Sequence, residues 1–233
     1  MTKEPAADRA VPNSLFERLR TESRLLAQRG TAQRFARGKL LIAEGDTRDV
    51  TQRALYVLLD GSAKVFSMDA RGREITYGTI AAGDYFGEMS FDGGPRSASV
   101  MALERCVCSV LTLDEVRAHL REHPDFAFSL MVQVIRRARA ATETARRMAL
   151  FDVPGRVAML LESMRGADAG RVVLQPITHQ DIANRVGARR EMVSRLLKEL
   201  EKGGYLELGV KRITLLKALP LRERSLPLHE RLS

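Results

Sequence analysis

Residues 178 to 198 constrain the fold of this chain most, because their polar and apolar side chains separate onto opposite faces of a predicted pair of helices. The inward positions of the first short helix are Ile182, Ala183 and Val186. Gly187 follows, and a tight connection between helices often needs a residue that tolerates positive φ. Thr178, three residues before Asp181, forms a capping-box-like start, so the first helix has a local reason to begin there.

The second helix of this pair carries an apolar stripe at helical spacing and a polar face opposite to it. The stripe consists of Val193, Leu196, Leu197 and Leu200. The polar face consists of Arg190, Glu191, Ser194, Arg195 and Lys198. The pattern predicts a helix-turn-helix that presents this face to a polar partner. The alternative is a solvated helical pair in an unrelated small domain.

The net charge of +9 is concentrated around the predicted helix-turn-helix. Residues 153 to 217 contain 12 Lys and Arg against 7 Asp and Glu, whereas residues 15 to 120 contain 15 against 14. A basic domain beside a nearly neutral one fits phosphate binding, because each neutralised phosphate releases condensed counterions. A membrane is the competing anionic partner, but we find no bilayer-spanning apolar stretch and no signal-peptide pattern. We therefore expect a cytoplasmic protein without membrane contact.

The 233 residues allow one large or two ordinary domains. From Arg34 to Leu113, short apolar runs alternate with glycines, as in a many-stranded β-roll or barrel. The runs are Lys39–Ile42, Ala54–Leu59, Ala63–Phe66, Ile75–Ile80, Ser97–Met101 and Val107–Leu113. Cys106 and Cys108 share one face of the last strand, and no further ligand completes a metal site. Two free thiols fit a reducing compartment, so we interpret them as structural residues rather than a redox switch.

A second group of candidate functional residues lies within this β-rich module, around the DGGPRS segment at residues 92 to 97. Its glycines allow the backbone to approach a ligand, and its proline makes the backbone just before Arg96 more rigid. The guanidinium of Arg96 could meet a phosphate, while the hydroxyl of Ser97 and nearby N–H groups complete an anion nest. The carboxylate of Glu88 could accept hydrogen bonds from a ribose hydroxyl. The alternative is an ion pair between Arg96 and Glu88 inside a tight turn.

A long helix is predicted from Asp125 to Ala149. Small and apolar residues alternate at spacings of four and three over three heptads, at Ala127, Met131, Val134, Ala138, Ala141, Ala145 and Met148. This heptad seam implies a parallel partner helix and hence a homodimer; the alternative is packing of the seam on the chain's own β-roll. The arginines off the seam are interpreted as a solvated flank: Arg136, Arg137, Arg139, Arg146 and Arg147.

The remaining segments complete the predicted α+β organisation. Asp152 is an N-cap, so the junction after the long helix is a natural hinge. The later elements are a helix Val153–Met164, a strand Arg171–Pro176 and a hairpin Tyr205–Leu216 that turns near Gly209. A helix-turn-helix closed by such a hairpin is the winged form. The expected domains are a disordered tail 1–14, a β-roll 15–123 that begins with an amphipathic helix Leu15–Leu26, a dimerisation helix and hinge 124–152, a winged helix-turn-helix 153–217 and a tail 218–233.

Over about residues 15 to 217, the chain resembles the bacterial transcription factors of the cyclic-AMP receptor protein and fumarate-nitrate regulator superfamily. The motifs that carry the resemblance, in this order, are GDYFGEM, DGGPRSA, the long helix, LFDVPGR and ITHQDIANRVGARREMVSRLLKELE. The resemblance implies a cyclic-nucleotide-binding-like β-roll, a dimerising helix and a winged helix that binds double-stranded DNA as a homodimer. It further implies a cyclic nucleotide such as cyclic AMP as effector, no other required cofactor, and RNA polymerase as a partner.

The resemblance also assigns candidate effector residues. Matching the positions that hold the ribose and the cyclic phosphate are Gly87, Glu88, Arg96, Ser97 and Ala98. Thr142 matches a hydroxyl of the dimer helix that reaches the purine across the interface. Ala141 stands where members that sense cyclic AMP usually have a threonine, and the interval Met89–Pro95 is slightly shorter than usual. The identity of the purine therefore stays open.

On the DNA side, Arg190, Glu191 and Arg195 match base-reading positions of the cyclic-AMP receptor protein. Arg can bond guanine O6 and N7, and Glu can accept from cytosine N4, which predicts half-sites resembling TGTGA. A two-fold dimer would space them about 34 Å apart. The further expected DNA contacts are Thr178, His179, Gln180, Arg189, Ser194 and Lys198.

Other functional classes are alternatives to a DNA-binding regulator controlled by a cyclic nucleotide. A regulator of the same fold could bind DNA without a ligand, or sense a different effector or a redox state. The iron-sulfur branch of the superfamily needs a cysteine cluster that is absent here. The haem-sensing branch stays open because the chain has four histidines, although His119 and His123 are expected on a solvated helix edge. We expect no enzyme, since the residues after Asp152 contain no nucleophile, metal or phosphate-loop pattern.

Overall fold

The computed structural model describes residues 21–47, 54–165, 172–174, 176–210 and 212–220. The predicted tail 1–14, and residues 221–233 of the predicted tail 218–233, lie outside these ranges, as does the first part of the predicted helix Leu15–Leu26. The chain forms two compact units. The first contains the described residues up to Ser67 together with Tyr77–Ile135, and the second contains Met68–Thr76 and the described residues from Arg136 onward.

The first unit contains two four-stranded sheets with neighbouring helices. One sheet has the strand order β1-β8-β3-β6 and the other the order β2-β7-β4-β5. The strands are β1 (Thr31–Phe35), β2 (Leu40–Ile42), β3 (Ala54–Asp60), β4 (Ser62–Met68), β5 (Glu74–Ala81), β6 (Tyr85–Phe86), β7 (Ser99–Ala102) and β8 (Cys106–Thr112). The helices that begin in this unit are α1 (Thr21–Ala27), α2 (Leu113–Glu122) and α3 (Pro124–Leu150), with a short 3₁₀ helix at Glu88–Ser90.

The six predicted apolar runs are all strands, within one or two residues at each end. Two further strands, β1 and β6, were not predicted. The sequence TAQRF of β1 has no fully buried residue, and β6 has only two residues, so neither produces an alternating apolar pattern. A helix around His119 was expected, but the bounds of α2 were not predicted, although Thr112 and Glu115 form a capping box at its start.

Strand β3 separates two hydrophobic clusters. Leu55, Val57 and Leu59 are buried in a cluster that also contains residues of α1, α2 and the first turn of α3. The alternate residue Leu58 is buried in the second cluster, among side chains from both sheets, including Cys106 and Cys108. Successive side chains of a strand point to opposite faces, so β3 is apolar on both faces. This is why its sequence is a continuous apolar run rather than an alternating pattern.

The prediction that His119 is solvated is wrong. His119 is 1% exposed, and its ring lies edge-on to Phe126 at 5.0 Å between centroids. The chain turns between α2 and α3, and the first turn of α3 places Phe126 over the histidine. Burial lowers the pKa of His119 below its ordinary value, and the neighbouring His123 lowers it further. His119 is therefore a residue of the core, and His123 is only partly exposed.

The second unit contains the end of α3, three shorter helices and a small sheet. The helices are α4 (Val153–Arg165), α5 (His179–Val186) and α6 (Arg190–Lys202). The antiparallel sheet has the order β10-β11-β9 and consists of β9 (Val172–Val173), β10 (Leu206–Gly209) and β11 (Arg212–Leu215). The predicted hairpin is thus present. Of the described residues of the strand predicted at Arg171–Pro176, Val172 and Val173 are in β9, whereas Leu174 and Pro176 are not in a strand. None of the described helices has the length and hydrophobicity needed to cross a membrane.

Polar contacts position both ends of α4. At its start the N–H of Gly155 donates to Asp152 Oδ1 at 2.8 Å, which confirms the predicted cap between α3 and α4. At its end Arg165 is paired with Glu162 at 2.9 Å and donates to the carbonyl of Lys217 at 2.6 Å. The Glu162 carboxylate in turn accepts from the N–H of Leu219 at 2.7 Å, so the segment after β11 is attached to α4.

We predict that Gly30→Ala destabilises the first unit. A Cβ atom at Gly30 would lie 2.4 Å from Ser109 Oγ and 2.7 Å from the carbonyl oxygen of Val110, so β8 must shift. We expect a loss of about 1–3 kcal/mol in the free energy of unfolding, measured by urea titration. Gly78→Ala is the control, because its Cβ would meet no atom within 4 Å. Equal denaturation midpoints for the two variants would contradict this packing.

Candidate ligand site and nucleic-acid interface

The guanidinium of Arg96 is held by a set of protein acceptors. Its Nη1 donates to the carbonyl of Gly87 at 2.9 Å and to Ser90 Oγ at 2.8 Å, with a longer contact to the carbonyl of Ala54 at 3.4 Å. Gly87 has a φ of +96°, and a Cβ atom there would lie 2.7 Å from the Ala54 carbonyl and 3.2 Å from Arg96 Nη1. Glycine is therefore required at this position for the close approach to Arg96.

Ser90 is a residue of this site that the sequence did not reveal. It is 4% exposed, and its hydroxyl donates to the carbonyl of Gly87 at 3.0 Å while it accepts from Arg96. A serine within a short 3₁₀ helix has no sequence signal for such a role. Its position beside Arg96 results from the loop that joins β6 to β7.

The other predicted effector residues differ in exposure. Glu88, the first residue of the 3₁₀ helix, is 5% exposed, so its carboxylate is buried. Ser97 is exposed, and its hydroxyl contacts Met89 Sδ at 3.4 Å. Ala98 is partly buried. The structure thus brings a buried carboxylate, an oriented guanidinium and an accessible hydroxyl into the short segment between β6 and β7.

Thr142 and Ala141 lie exposed on α3, away from this segment in sequence. The hydroxyl of Thr142 donates to the carbonyl of Ala138 at 3.1 Å. Because its hydrogen is engaged in the helix, the lone pairs of the Thr142 hydroxyl are the groups left to interact with another molecule.

The predicted heptad seam of α3 is largely uncovered within this chain. Six of its seven positions are exposed: Ala127, Met131, Val134, Ala138, Ala141 and Ala145. The described residues of the first unit leave Ala127, Met131 and Val134 exposed, so the alternative that this part of the seam packs on the chain's own β-roll is wrong. Phe128 and Ile135 beside the seam are also 64% and 43% exposed, so the apolar face is wider than the seam itself.

The helix-turn-helix forms as its pattern predicts. The hydroxyl of Thr178 accepts from the N–H of Asp181 at 3.1 Å, and the Asp181 carboxylate accepts from the N–H of Thr178 at 3.0 Å. Gly187 ends α5 with a φ of +65°. In α6, Val193 and Leu197 are buried, and Leu196 and Leu200 are packed against the same core. Both the capping box and the apolar stripe are confirmed.

The opposite face of α6 is available to another molecule, with one exception. The exposed residues on and before it are Arg189, Arg190, Glu191, Arg195 and Lys198. Ser194, predicted on this face, is only partly exposed, and its hydroxyl lies 2.9 Å from Nδ1 of His179 in α5. The exposed side chain of Gln180 donates to Asn184 at 2.7 Å. A surface of four cations around one carboxylate can contact phosphates and the edges of bases.

Replacing the cap of α5 tests whether the helix-turn-helix depends on it. Thr178→Ala removes the acceptor of the Asp181 N–H, and we expect a loss of about 1 kcal/mol in the free energy of unfolding of the second unit. Thr178→Ser keeps the hydroxyl and should stay within a few tenths of wild type. Urea denaturation followed by circular dichroism measures both; an unchanged midpoint for the alanine variant would show that the cap is dispensable.

Comparisons with known proteins agree with this geometry. Residues 32–123 match the cyclic nucleotide-binding domain family, and residues 155–224 match the Crp-like helix-turn-helix domain family. A chain that joins these two domains is a DNA-binding transcription regulator with a cyclic nucleotide-binding domain. The cAMP-activated global transcriptional regulator CRP of Escherichia coli O6:H1 is 31% identical over 170 residues, which are 69% of this chain and 78% of that protein. The chain belongs to the Crp/Fnr superfamily of transcription regulators.

Two further relatives extend the comparison. The CRP-like cAMP-activated global transcriptional regulator of Mycobacterium tuberculosis is 29% identical over 197 residues, covering 82% of this chain and 86% of that protein. Among solved structures, the c-di-GMP-responsive global regulator CLP of Xanthomonas campestris has a TM-score of 0.70 at 21% identity, over 88% of this chain and 99% of that chain. The latter similarity establishes the fold.

Proposed function

We propose that this protein is a homodimeric transcription regulator whose binding to palindromic, TGTGA-like DNA sites is controlled by a cyclic nucleotide in the β-roll. The observation that carries the proposal is the exposed face of α6, with Arg190, Glu191 and Arg195 held outward by the buried Val193 and Leu197. RNA polymerase is the further partner expected of such a regulator, since the named relatives are transcriptional regulators.

The chemistry of this face matches the major groove. An arginine can bond bidentately to guanine O6 and N7, and a glutamate can accept from cytosine N4. Arg190, Glu191 and Arg195 are exposed and lie in the first two turns of α6, the part of a recognition helix that meets base edges. The surrounding polar residues would contact phosphates and set the orientation of the helix: Thr178, His179, Gln180, Arg189, Ser194 and Lys198.

The chemistry of the β-roll site matches a cyclic nucleotide. Arg96 supplies a positive charge that is already oriented by Gly87 and Ser90, so little side-chain freedom is lost when an anionic phosphate binds. The hydroxyl of Ser97, with the N–H groups of Ser97 and Ala98, would complete the phosphate contacts. Glu88 would accept hydrogen bonds from a ribose hydroxyl. Cyclic AMP is the first candidate, because the named relatives are cAMP-activated.

The exposed seam of α3 supports the homodimer. Its alanines allow two helices to approach closely, and pairing would bury Met131, Val134 and the adjacent Phe128. A nucleotide bound in one subunit would then meet Thr142 of the partner subunit, whose hydroxyl is left as an acceptor for an exocyclic amino group of the purine. By favouring one arrangement of the two α3 helices, the ligand would set the spacing of the two α6 helices through the hinge at Asp152.

Arg96→Ala tests the effector site. We expect a 10- to 100-fold loss of nucleotide affinity, because a hydrogen bond to a charged group contributes about 1.5–3 kcal/mol. Isothermal titration calorimetry with cyclic AMP, cyclic GMP and cyclic di-GMP measures the affinity, and sedimentation velocity checks that the dimer is retained. Arg96→Lys keeps the charge and controls for local misfolding. A ligand-dependent gain in DNA affinity that survives Arg96→Ala would refute the assigned site.

If none of these nucleotides binds wild type while specific DNA binding persists, the alternative function holds: a regulator of the same fold that binds DNA without a ligand, or that senses a different effector or a redox state. The observation that favours this alternative is that Arg96 Nη1 is within hydrogen-bond distance of three acceptors of the protein itself, namely the carbonyls of Gly87 and Ala54 and the hydroxyl of Ser90. The calorimetric screen therefore distinguishes the two functions directly.

Glu191→Ala tests the DNA-binding face. In a selection from random duplexes with and without effectors, wild type should enrich a two-fold symmetric site. The variant should lose discrimination at one base pair of each half-site, by about 1–3 kcal/mol, and keep its non-specific affinity. Glu199→Ala, at an exposed position on α6, is the control. An equal loss of affinity for all DNA sequences would count against base reading by Glu191.

A further inference from the structure

Met192 lies on the first turn of α6, the recognition helix, and its apolar side chain is not part of the hydrophobic core. All of α6 is described, and Met192 is its one exposed large hydrophobic residue, at 46% exposure. The next residue, Val193, is fully buried, and the residue before it is the exposed Glu191. Helix geometry therefore leaves Met192 between the core stripe and the polar face.

The position of Met192 places it beside the proposed base-reading side chains. Residues three or four apart are neighbours on a helix surface, with Cβ atoms about 5–6 Å apart. Arg195 is three positions after Met192 and four positions after Glu191. Arg195 is therefore the surface neighbour that Glu191 and Met192 share, and the thioether lies at the edge of the polar face next to Arg195.

The major groove offers one apolar group on its base edges, the C5 methyl of thymine. In a TGTGA-like half-site each guanine follows a thymine, so this methyl lies one step, about 3.4 Å along the strand, from a guanine that an arginine can bond. Methionine is unbranched, flexible and polarisable, and it adapts well to such an irregular apolar contact.

We propose that Met192 selects a thymine in each half-site by packing its thioether against the C5 methyl, next to the guanine read by an arginine. The proposal rests on the proposed DNA-binding function. It adds an apolar residue to the charged residues that are proposed to determine the DNA sequence specificity.

The test replaces each thymine of the selected duplex, one symmetric pair at a time, by uracil, which removes only the methyl. Fluorescence anisotropy at fixed salt gives the affinity. Burial of one methyl corresponds to about a fourfold change in Kd, so wild type should lose about fourfold per half-site at one position. Met192→Ala should bind the thymine and uracil duplexes equally, and Met192→Leu should restore the difference. Glu199→Ala, an exposed change on the same helix, should leave the uracil penalty unchanged.

Three results would overturn the inference while the DNA-binding function stands: a selected half-site without thymine, a wild-type protein insensitive to uracil at every position, or an unchanged uracil penalty in Met192→Ala. If wild type enriches no sequence at all, the proposed function fails and this inference fails with it. The selection step thus separates the two cases before any uracil duplex is made.

Discussion

Burial of the apolar stripe of α6 is the interaction on which the function of this molecule depends. Val193 and Leu197 are fully buried with Ile182 and Ala183 of α5 and with Leu215 of β11. Because these side chains anchor one face of α6, the opposite face is held outward as a rigid surface. Loss of this burial would leave the charged residues in the sequence but remove their common orientation, and a DNA-reading helix requires that orientation more than it requires net charge.

In the β-roll, the interaction that matters most for the proposed effector site is the orientation of the Arg96 guanidinium. Arg96 is oriented by two carbonyls and the Ser90 hydroxyl, all neutral acceptors. Neutral acceptors fix the guanidinium without neutralising its charge, as the proposed phosphate contact requires. The absence of a side chain at Gly87 is what allows the backbone to come this close.

Helix α3 has a face that the rest of the described chain does not cover. The small seam residues and the exposed Met131 and Phe128 form an apolar strip along a helix whose other faces carry several arginines. Glu143 accepts from both Arg146 and Arg147, so part of this charge is balanced within the helix itself. Exposure of an apolar strip of this length to water costs free energy. Association with a second helix would bury the strip and remove this cost.

Elements with local signals could be predicted from the amino-acid sequence alone. Periodicity placed α3, α4 and the helix-turn-helix, and Thr178, Asp181 and Gly187 marked the boundaries of α5. Alternating runs and glycines placed six strands of the β-roll. Three features became known only from the folded chain: the burial of His119 under Phe126, the position of Ser90 beside Arg96 and the contact between Ser194 and His179. These depend on which distant segments meet, and a side chain's burial and partners are set by the packed neighbours around it, which periodicity along one segment does not specify.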